Sequence, residues 1–163
     1  MMSNPNHHGT NIEHSLIRHA SIDDDAVLAD FGRKFYEYIG SYHDVPYCTE
    51  SAARWFALLR ELGVLLIAEV DGQAVGMAGA LWSPFIFNDQ YKVGAEIFWW
   101  INPEHRSGGV GREMLAKLES AAQDAGCVRF SMMSVADHDR LGKIYGLAGY
   151  EPAERTYVKA WPA

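Results

Sequence analysis

The chain has 163 residues, 48% hydrophobic and 21% charged, with 14 basic against 21 acidic side chains and a net charge of −7. That size suits one domain able to bury a sizeable core, and no run reaches the ~18 apolar residues of a membrane span. The acidic balance argues against a broad phosphate-binding face, so nucleic acid is an unlikely partner; a negative field favours cationic small molecules instead.

Residues 1–14, MMSNPNHHGTNIEH, are polar and lack the apolar centre of a signal peptide. They read as a disordered lead-in, with residues 15–163 as one domain. His7 and His8 on such a tail do not make a metal site. Cys48 and Cys127 lie far apart without ligand spacing. No metal is expected, and the cysteine usage suits a reducing, cytoplasmic setting.

In chain order, Leu16–Ala20 reads as a first strand. Ser21 opens an S-x-x-D helix start, and Val27, Leu28, Phe31, Phe35, Tyr38 and Ile39 follow at helical spacing up to Gly40. The segment GSYHDVPYC is a loop, after which Thr49 caps a second helix carrying Trp55, Phe56, Leu59 and Leu62. Val64–Val70 and Ala74–Trp82 form a hairpin across Asp71-Gly72. The segment SPFIFNDQY reads as a loop and Val93–Ile101 as the fourth strand. A helix with Met114, Leu115, Leu118, Ala121, Ala122 and Ala125 on one face stops at Gly126. Then come a strand at Val128–Val135, a short helix with Leu141, Ile144, Tyr145 and Ala148 inward, and a last strand at Arg155–Trp161. The order β-α-α-β-β-β-α-β-α-β defines a mixed α/β fold (α+β, one mixed sheet).

The glycines between the fourth strand and the next helix have two readings. Gly111 is followed by Arg112-Glu113, so a Walker loop fails for want of Lys-Ser/Thr. Gly109 and Gly111 give G-x-G, but Met114 stands at the third position, so a dinucleotide fingerprint fails too. What remains is a helix N-terminus with unpaired N–H groups and a positive dipole end, preceded by Arg106. That is a diphosphate site in physical terms, or else a plain tight turn.

Arg106-Ser107-Gly108-Gly109-Val110-Gly111 resembles the R/Q-x-x-G-x-G/A signature of the GCN5-related N-acetyltransferase (GNAT) superfamily. The preceding strand ending WINPEHR and the later segment Ile144-Tyr145 to Gly149-Tyr150 are similar to that family as well, and the element order agrees from Leu16 to Trp161. The resemblance implies acetyl-CoA held between the fourth and fifth strands. Backbone amides from Arg106 to Arg112 would bind the pyrophosphate, and the strand end Trp99, Trp100 and Ile101 would pair with the pantetheine arm. His138 stands where the family often has an Asn that reaches the cofactor arm, and it retains one hydrogen-bond donor. Many relatives have two strands after the last helix, whereas Tyr150–Ala163 has room for one.

The same resemblance implies chemistry at two residues. Glu96 matches a general-base glutamate of some members, whereas many work through ordered water; His43 is the alternative base. Regular alternation would put Glu96 on one face with Phe98 and Trp100, where desolvation raises its pKa. Tyr145 would protonate the coenzyme thiolate, with a backbone N–H near Trp99–Ile101 stabilising the oxyanion. The loops before the second helix and before the fourth strand would build the acceptor pocket. Their candidates are Tyr42, His43, Asp44, Tyr47, Phe85, Phe87 and Asn88, a cation-binding cup of aromatic groups with Asp44. The implied activity is acetyl transfer from acetyl-CoA to a primary amine of a small cationic molecule. The alternatives are a protein or modified nucleic-acid amine as acceptor, and a non-catalytic acyl-CoA-binding module. The uncovered last strand would allow a homodimer.

Overall fold

A computed structural model describes residues 15–40 and 44–161. The lead-in at 1–14 and the candidates Tyr42 and His43 lie outside the described residues.

The elements are β1 (Ser15–His19), a 3-10 turn (Ile22–Asp24), α1 (Asp25–Ile39), α2 (Thr49–Leu62), β2 (Gly63–Val70), β3 (Gln73–Phe85), β4 (Asn88–Ile101), a second 3-10 turn (Pro103–His105), α3 (Val110–Asp124), β5 (Cys127–Ser131) and α4 (His138–Leu147). One five-stranded sheet runs in the order β1-β2-β3-β4-β5. The first three pairings are antiparallel and β4–β5 is parallel, the mixed α/β sheet expected.

Local signals explain the starts and turns. Ser21 and Asp24 form a reciprocal capping box ahead of α1. Asp24 also takes two bonds from Arg18, at 2.8 and 2.7 Å, which tie the turn to β1. Asp71 and Gly72 both have positive φ, 50° and 77°, as a two-residue hairpin turn requires. Thr49 is the first residue of α2 and Cys48 the capping position, without a side-chain cap bond.

Both faces of the sheet are covered, and strand alternation assigns the residues. Val64, Leu66, Ala68 and Val70 of β2 pack with Val110, Met114 and Leu118 of α3. Leu65 and Ile67 turn the other way, against Leu28 and Phe31 of α1 and Phe56 and Leu59 of α2. Full burial of such side chains stabilises by roughly 1.5–3 kcal/mol each.

Four expectations need correction. The segment SPFIFNDQY is no loop: β3 and β4 run into it, with Pro84 paired to Lys92 and Phe85 to Asn88. β5 ends at Ser131, because the chain from Met132 leaves β4. Arg155–Trp161 forms no strand; it is exposed throughout, and the sheet among the described residues ends at β5. Its β-branched and aromatic residues fit a strand, but propensity without a partner strand is a weak force. The apolar face of α2 is also narrower than expected, with Trp55 44% and Leu62 56% exposed.

Candidate active site

β4 and β5 pair only as far as Ala95 and Ser131. Beyond that point β4 continues to Ile101 with one edge open, while the chain from Met132 to Asp137 diverges towards α4. A cleft of about 590 Å³ fills the gap. It is walled by β4, α1, α2, the N-terminus of α3, residues 133–137 and α4.

A β-bulge shapes the centre of β4. Glu96 pairs with Ala80 and Phe98 with the adjacent Gly79, leaving Ile97 as the extra residue. Directly paired residues share a face. Ala80 belongs to the α3-side core, whereas Phe98 packs on the α1/α2 side. The bulge therefore parts Glu96 from Phe98 and Trp100, against the regular alternation expected. It brings Glu96 to Met133 instead.

Glu96 is 3% exposed and lines the cleft. Its Oε2 accepts one hydrogen bond, from the Met133 N–H at 3.0 Å. Burial raises its pKa to about 7, against the opposing pull of that single N–H. The hydroxyl of Tyr145 donates to the carbonyl of the same residue, Met133, at 2.8 Å. Burial, and secondly the nearby Glu96 carboxylate, push the Tyr145 pKa well up. One residue's two backbone groups thus hold both candidate catalytic side chains. The Tyr145 ring also lies 6.0 Å from Trp99 and 5.8 Å from Tyr150.

The glycine turn sits at the other end of the cleft. Gly109 caps α3 with φ 92°, a conformation that glycine adopts without strain. The first helical bond is Glu113 N–H to Gly109 O at 3.1 Å, so the N–H groups of Val110, Gly111 and Arg112 have no partner within the helix. Ser107, Gly109, Gly111 and Arg112 line the cleft. Gly108 does not, and the Val110 side chain is buried in the core, 2% exposed.

Arg106 has a different task from its neighbours. Its Nε donates to Ile101 O at 2.8 Å, and its guanidinium lies 4.8 Å from both the Tyr38 and the Trp100 ring centres. The Trp100 carbonyl is directed at Gly76 of β3, so alternation directs Trp99 and Ile101 to the open edge. Arg106 has taken the Ile101 carbonyl, which leaves the backbone of Trp99 for an edge partner. His138 is exposed at the start of α4, bonded to Ser134 Oγ at 2.9 Å, and is outside the cleft lining.

Of the acceptor-pocket candidates, Tyr47 reaches the cleft. Asp44 is exposed and off its wall. Phe85, Phe87 and Asn88 sit at the far tip of the β3–β4 hairpin, where Phe87 is 84% exposed and packs on Phe85 at 5.6 Å. They stay outside because the segment extends the hairpin. The expected cup is built instead by Phe35, Tyr36, Tyr38 and Ile39 of α1 and Phe56 of α2. Several of these had helical spacing and read as plain core; nothing in that spacing separates a core wall from a cleft wall. Met133 and Arg140 carried no sequence signal, since one acts through its backbone and the other lies in a short polar helix.

The sheet thus opens beside a helix N-terminus with free amides, and a buried carboxylate stands at the fork. The profile of the acetyltransferase (GNAT) family matches residues 30–148, and the chain belongs to that family. The aminoglycoside N(6')-acetyltransferase type 1 of Stenotrophomonas maltophilia is 29% identical over 104 residues, 63% of this chain and 68% of that protein. An uncharacterized N-acetyltransferase of Archaeoglobus fulgidus is 30% identical over 105 residues, 62% and 69% of the two chains. Among solved structures, aminoglycoside N-acetyltransferase AAC(6')-Iy in complex with CoA superposes with a TM-score of 0.73 at 16% identity, covering 93% of this chain and 97% of that one. At that identity the likeness is one of fold.

The chain is accordingly an N-acetyltransferase, and acetyl-CoA is the acetyl donor of its family. The residues present fit that group. Unpartnered amides of α3, with no Cβ at Gly109 or Gly111, face the cleft, and Arg112 and Arg140 add positive charge at the same end.

Proposed function

We propose that the chain transfers an acetyl group from acetyl-CoA to a primary amine of a small, cationic molecule by direct attack, with Glu96 as base and Tyr145 as acid. The observation that carries this reading is the clamp at Met133. A buried carboxylate with a pKa near about 7 and a buried phenol are fixed to one residue, at the point where β4 and β5 part. When bound, acetyl-CoA supplies the activated acetyl thioester.

The chain's own residues supply the proton handling. A lysine-like ammonium has a pKa near ~10.4 and attacks only once neutral. Glu96 Oε takes the proton from that nitrogen, and a base poised near the working pH is the efficient choice. The Tyr145 hydroxyl, held on the Met133 carbonyl, would give its proton to the departing thiolate sulfur once the amine has taken the acetyl group. The amides of Val110, Gly111 and Arg112 hold the diphosphate, and the Trp99 backbone holds the pantetheine arm.

The test is a pair of measurements. Millimolar acetyl-CoA is expected to raise the melting temperature, because it binds only the folded state, and Gly109→Glu is expected to abolish the rise. No protein atom lies within 4 Å of a Cβ at Gly109, but any side chain is strained at its φ of 92°, so the shift is read against the variant's own melting temperature without ligand. Release of CoA thiol is then followed over primary amines, peptides and nucleic acid. No melting shift in the parent protein, or thiol release with peptides or nucleic acid alone, would overturn the proposal.

A further inference from the structure

The proposed reading names the acceptor only as a small cationic amine. From the chemistry of the cleft wall, and resting on that reading, we infer that the acceptor is a monoamine with an apolar, aryl-type body, and not a polycationic or polyhydroxylated amine.

The amine end of the cleft carries little charge of the needed sign. Among the described residues, Glu96 is its one carboxylate; Asp137, the other acid on the cleft, is beside Arg140, 4.0 Å away. In the sequence, positions 41–43 are Ser, Tyr and His, none of them an acid. One ammonium can therefore be paired on burial, and each further one would be desolvated without a counter-charge.

The remaining wall is apolar and already assembled. Phe98 meets Phe35 at 6.0 Å and Phe56 at 5.6 Å, both edge to face, and Ile39 continues the surface. Two of the cup's three tyrosine hydroxyls are committed to the backbone. Tyr36 donates to Val45 O at 2.7 Å and Tyr47 to Ala29 O at 3.4 Å. These residues offer rings rather than donors.

Three of the rings on the cleft, those of Tyr47, Tyr38 and Trp100, already carry a cation. The Arg33 guanidinium lies 5.1 Å from the Tyr47 ring centre, and Arg106 covers Tyr38 and Trp100. A second ammonium arriving there meets a resident positive charge instead of a vacant π-face. This reading departs from the cation-binding cup expected from the loop aromatics, of which Tyr42 and His43 lie outside the described residues. The site takes one ammonium at Glu96 and, past the open edge of β4 where both faces meet the cleft, packs the rest of the molecule against carbon.

The experiment compares kcat/KM for CoA-thiol release with 2-phenylethylamine, hexylamine, spermidine and kanamycin at saturating acetyl-CoA. The expected order places 2-phenylethylamine about 100-fold above spermidine and kanamycin, since unpaired buried polar groups discriminate on that scale. Ile39→Glu adds a second carboxylate to the wall and is expected to narrow the ratio about tenfold. Ile39→Gln, polar but uncharged, leaves the ratio within about twofold and controls for packing. Turnover of spermidine or kanamycin equal to or faster than 2-phenylethylamine overturns the inference while leaving acetyl transfer intact. Thiol release with none of the four, despite a melting shift with acetyl-CoA, overturns both.

Discussion

Glu96→Gln isolates the burial of the proposed base. The carboxyl rises from its ordinary 4.5 to about 7 because burial disfavours its charged form. The folded protein therefore holds a proton that the unfolded chain has released between those values. Stability contributed here is greatest below pH 4.5 and falls as pH rises to about 7. At about 1.4 kcal/mol per pH unit the full loss is about 3 kcal/mol. Gln does not titrate, and its amide oxygen still accepts from the Met133 N–H. Any fixed cost of the buried NH₂ group is the same at every pH. The stability of the variant minus that of the parent should thus grow by about 3 kcal/mol from pH 4.5 to pH 8, which is roughly 6–12 °C in melting temperature for a chain of this size. Other titrating groups cancel in the difference. Thermal melts of both proteins at half-unit pH steps measure it. A difference constant within about 0.5 kcal/mol would show that Glu96 is solvated in the folded state, and the case for a tuned base would fall. In parallel, kcat/KM of the parent should rise through pH 7, and the variant should lack that limb.

Tyr145→Phe should lower kcat about 100-fold with little change in acetyl-CoA affinity; an unchanged kcat would remove Tyr145 from the chemistry. Arg106→Ala loses the bond to Ile101 O and the contacts with two rings, and should cost about 2 kcal/mol by chemical denaturation. Arg106→Lys should recover little of it, because an ammonium cannot lie flat between two rings and bond a carbonyl as well. Asp24 is held down to about 2 by the hydrogen bonds of Arg18, so its contribution is present above 3.8 and is lost as pH falls towards 2. Asp24→Asn should flatten that acid limb in melts between pH 4 and pH 2.

The parts of the site legible in the sequence are those fixed by local backbone needs. Gly109 is readable because a positive-φ residue must end the loop before α3, and Asp71-Gly72 for the same reason. The bulge at Ile97 was not readable. Alternation assumes a regular strand, and one inserted residue moved Glu96 to the opposite face from Phe98. Glu96 does line the cleft, but the reason for its burial differs: its neighbours are Met133 and Tyr145, not Phe98 and Trp100. Phe85, Phe87 and Asn88 misled because an aromatic, polar segment with Pro84 reads as loop, whereas cross-strand pairing carries it into the hairpin. The strand read at Arg155–Trp161 failed for the converse reason, having the propensity and no partner. The acceptor wall was hidden among helix positions that look like core, since one stripe of α1 serves both the core and the cleft.

The shared residue at the fork also sets an order of events for the proposed chemistry. After burial, the Glu96 carboxylate is the largest influence that holds the Tyr145 proton in place, with Tyr150 behind it. While Glu96 is charged, Tyr145 is a poor acid, and its hydroxyl stays on the Met133 carbonyl. Once Glu96 has taken the proton of the ammonium, that negative charge is gone and the Tyr145 pKa falls. A neutral carboxyl also accepts more weakly from the Met133 N–H. The same event that frees the amine to attack thus makes the phenol readier to donate at the sulfur. Base before acid follows from the charges rather than from any movement of the chain. The order has a consequence for the variants. Glu96→Gln presents Tyr145 with a permanently neutral neighbour, so the phenol pKa in that variant should lie below that of the parent above pH 7. Ultraviolet titration of the buried tyrosines would detect the shift. An unchanged titration would mean that Glu96 and Tyr145 act independently.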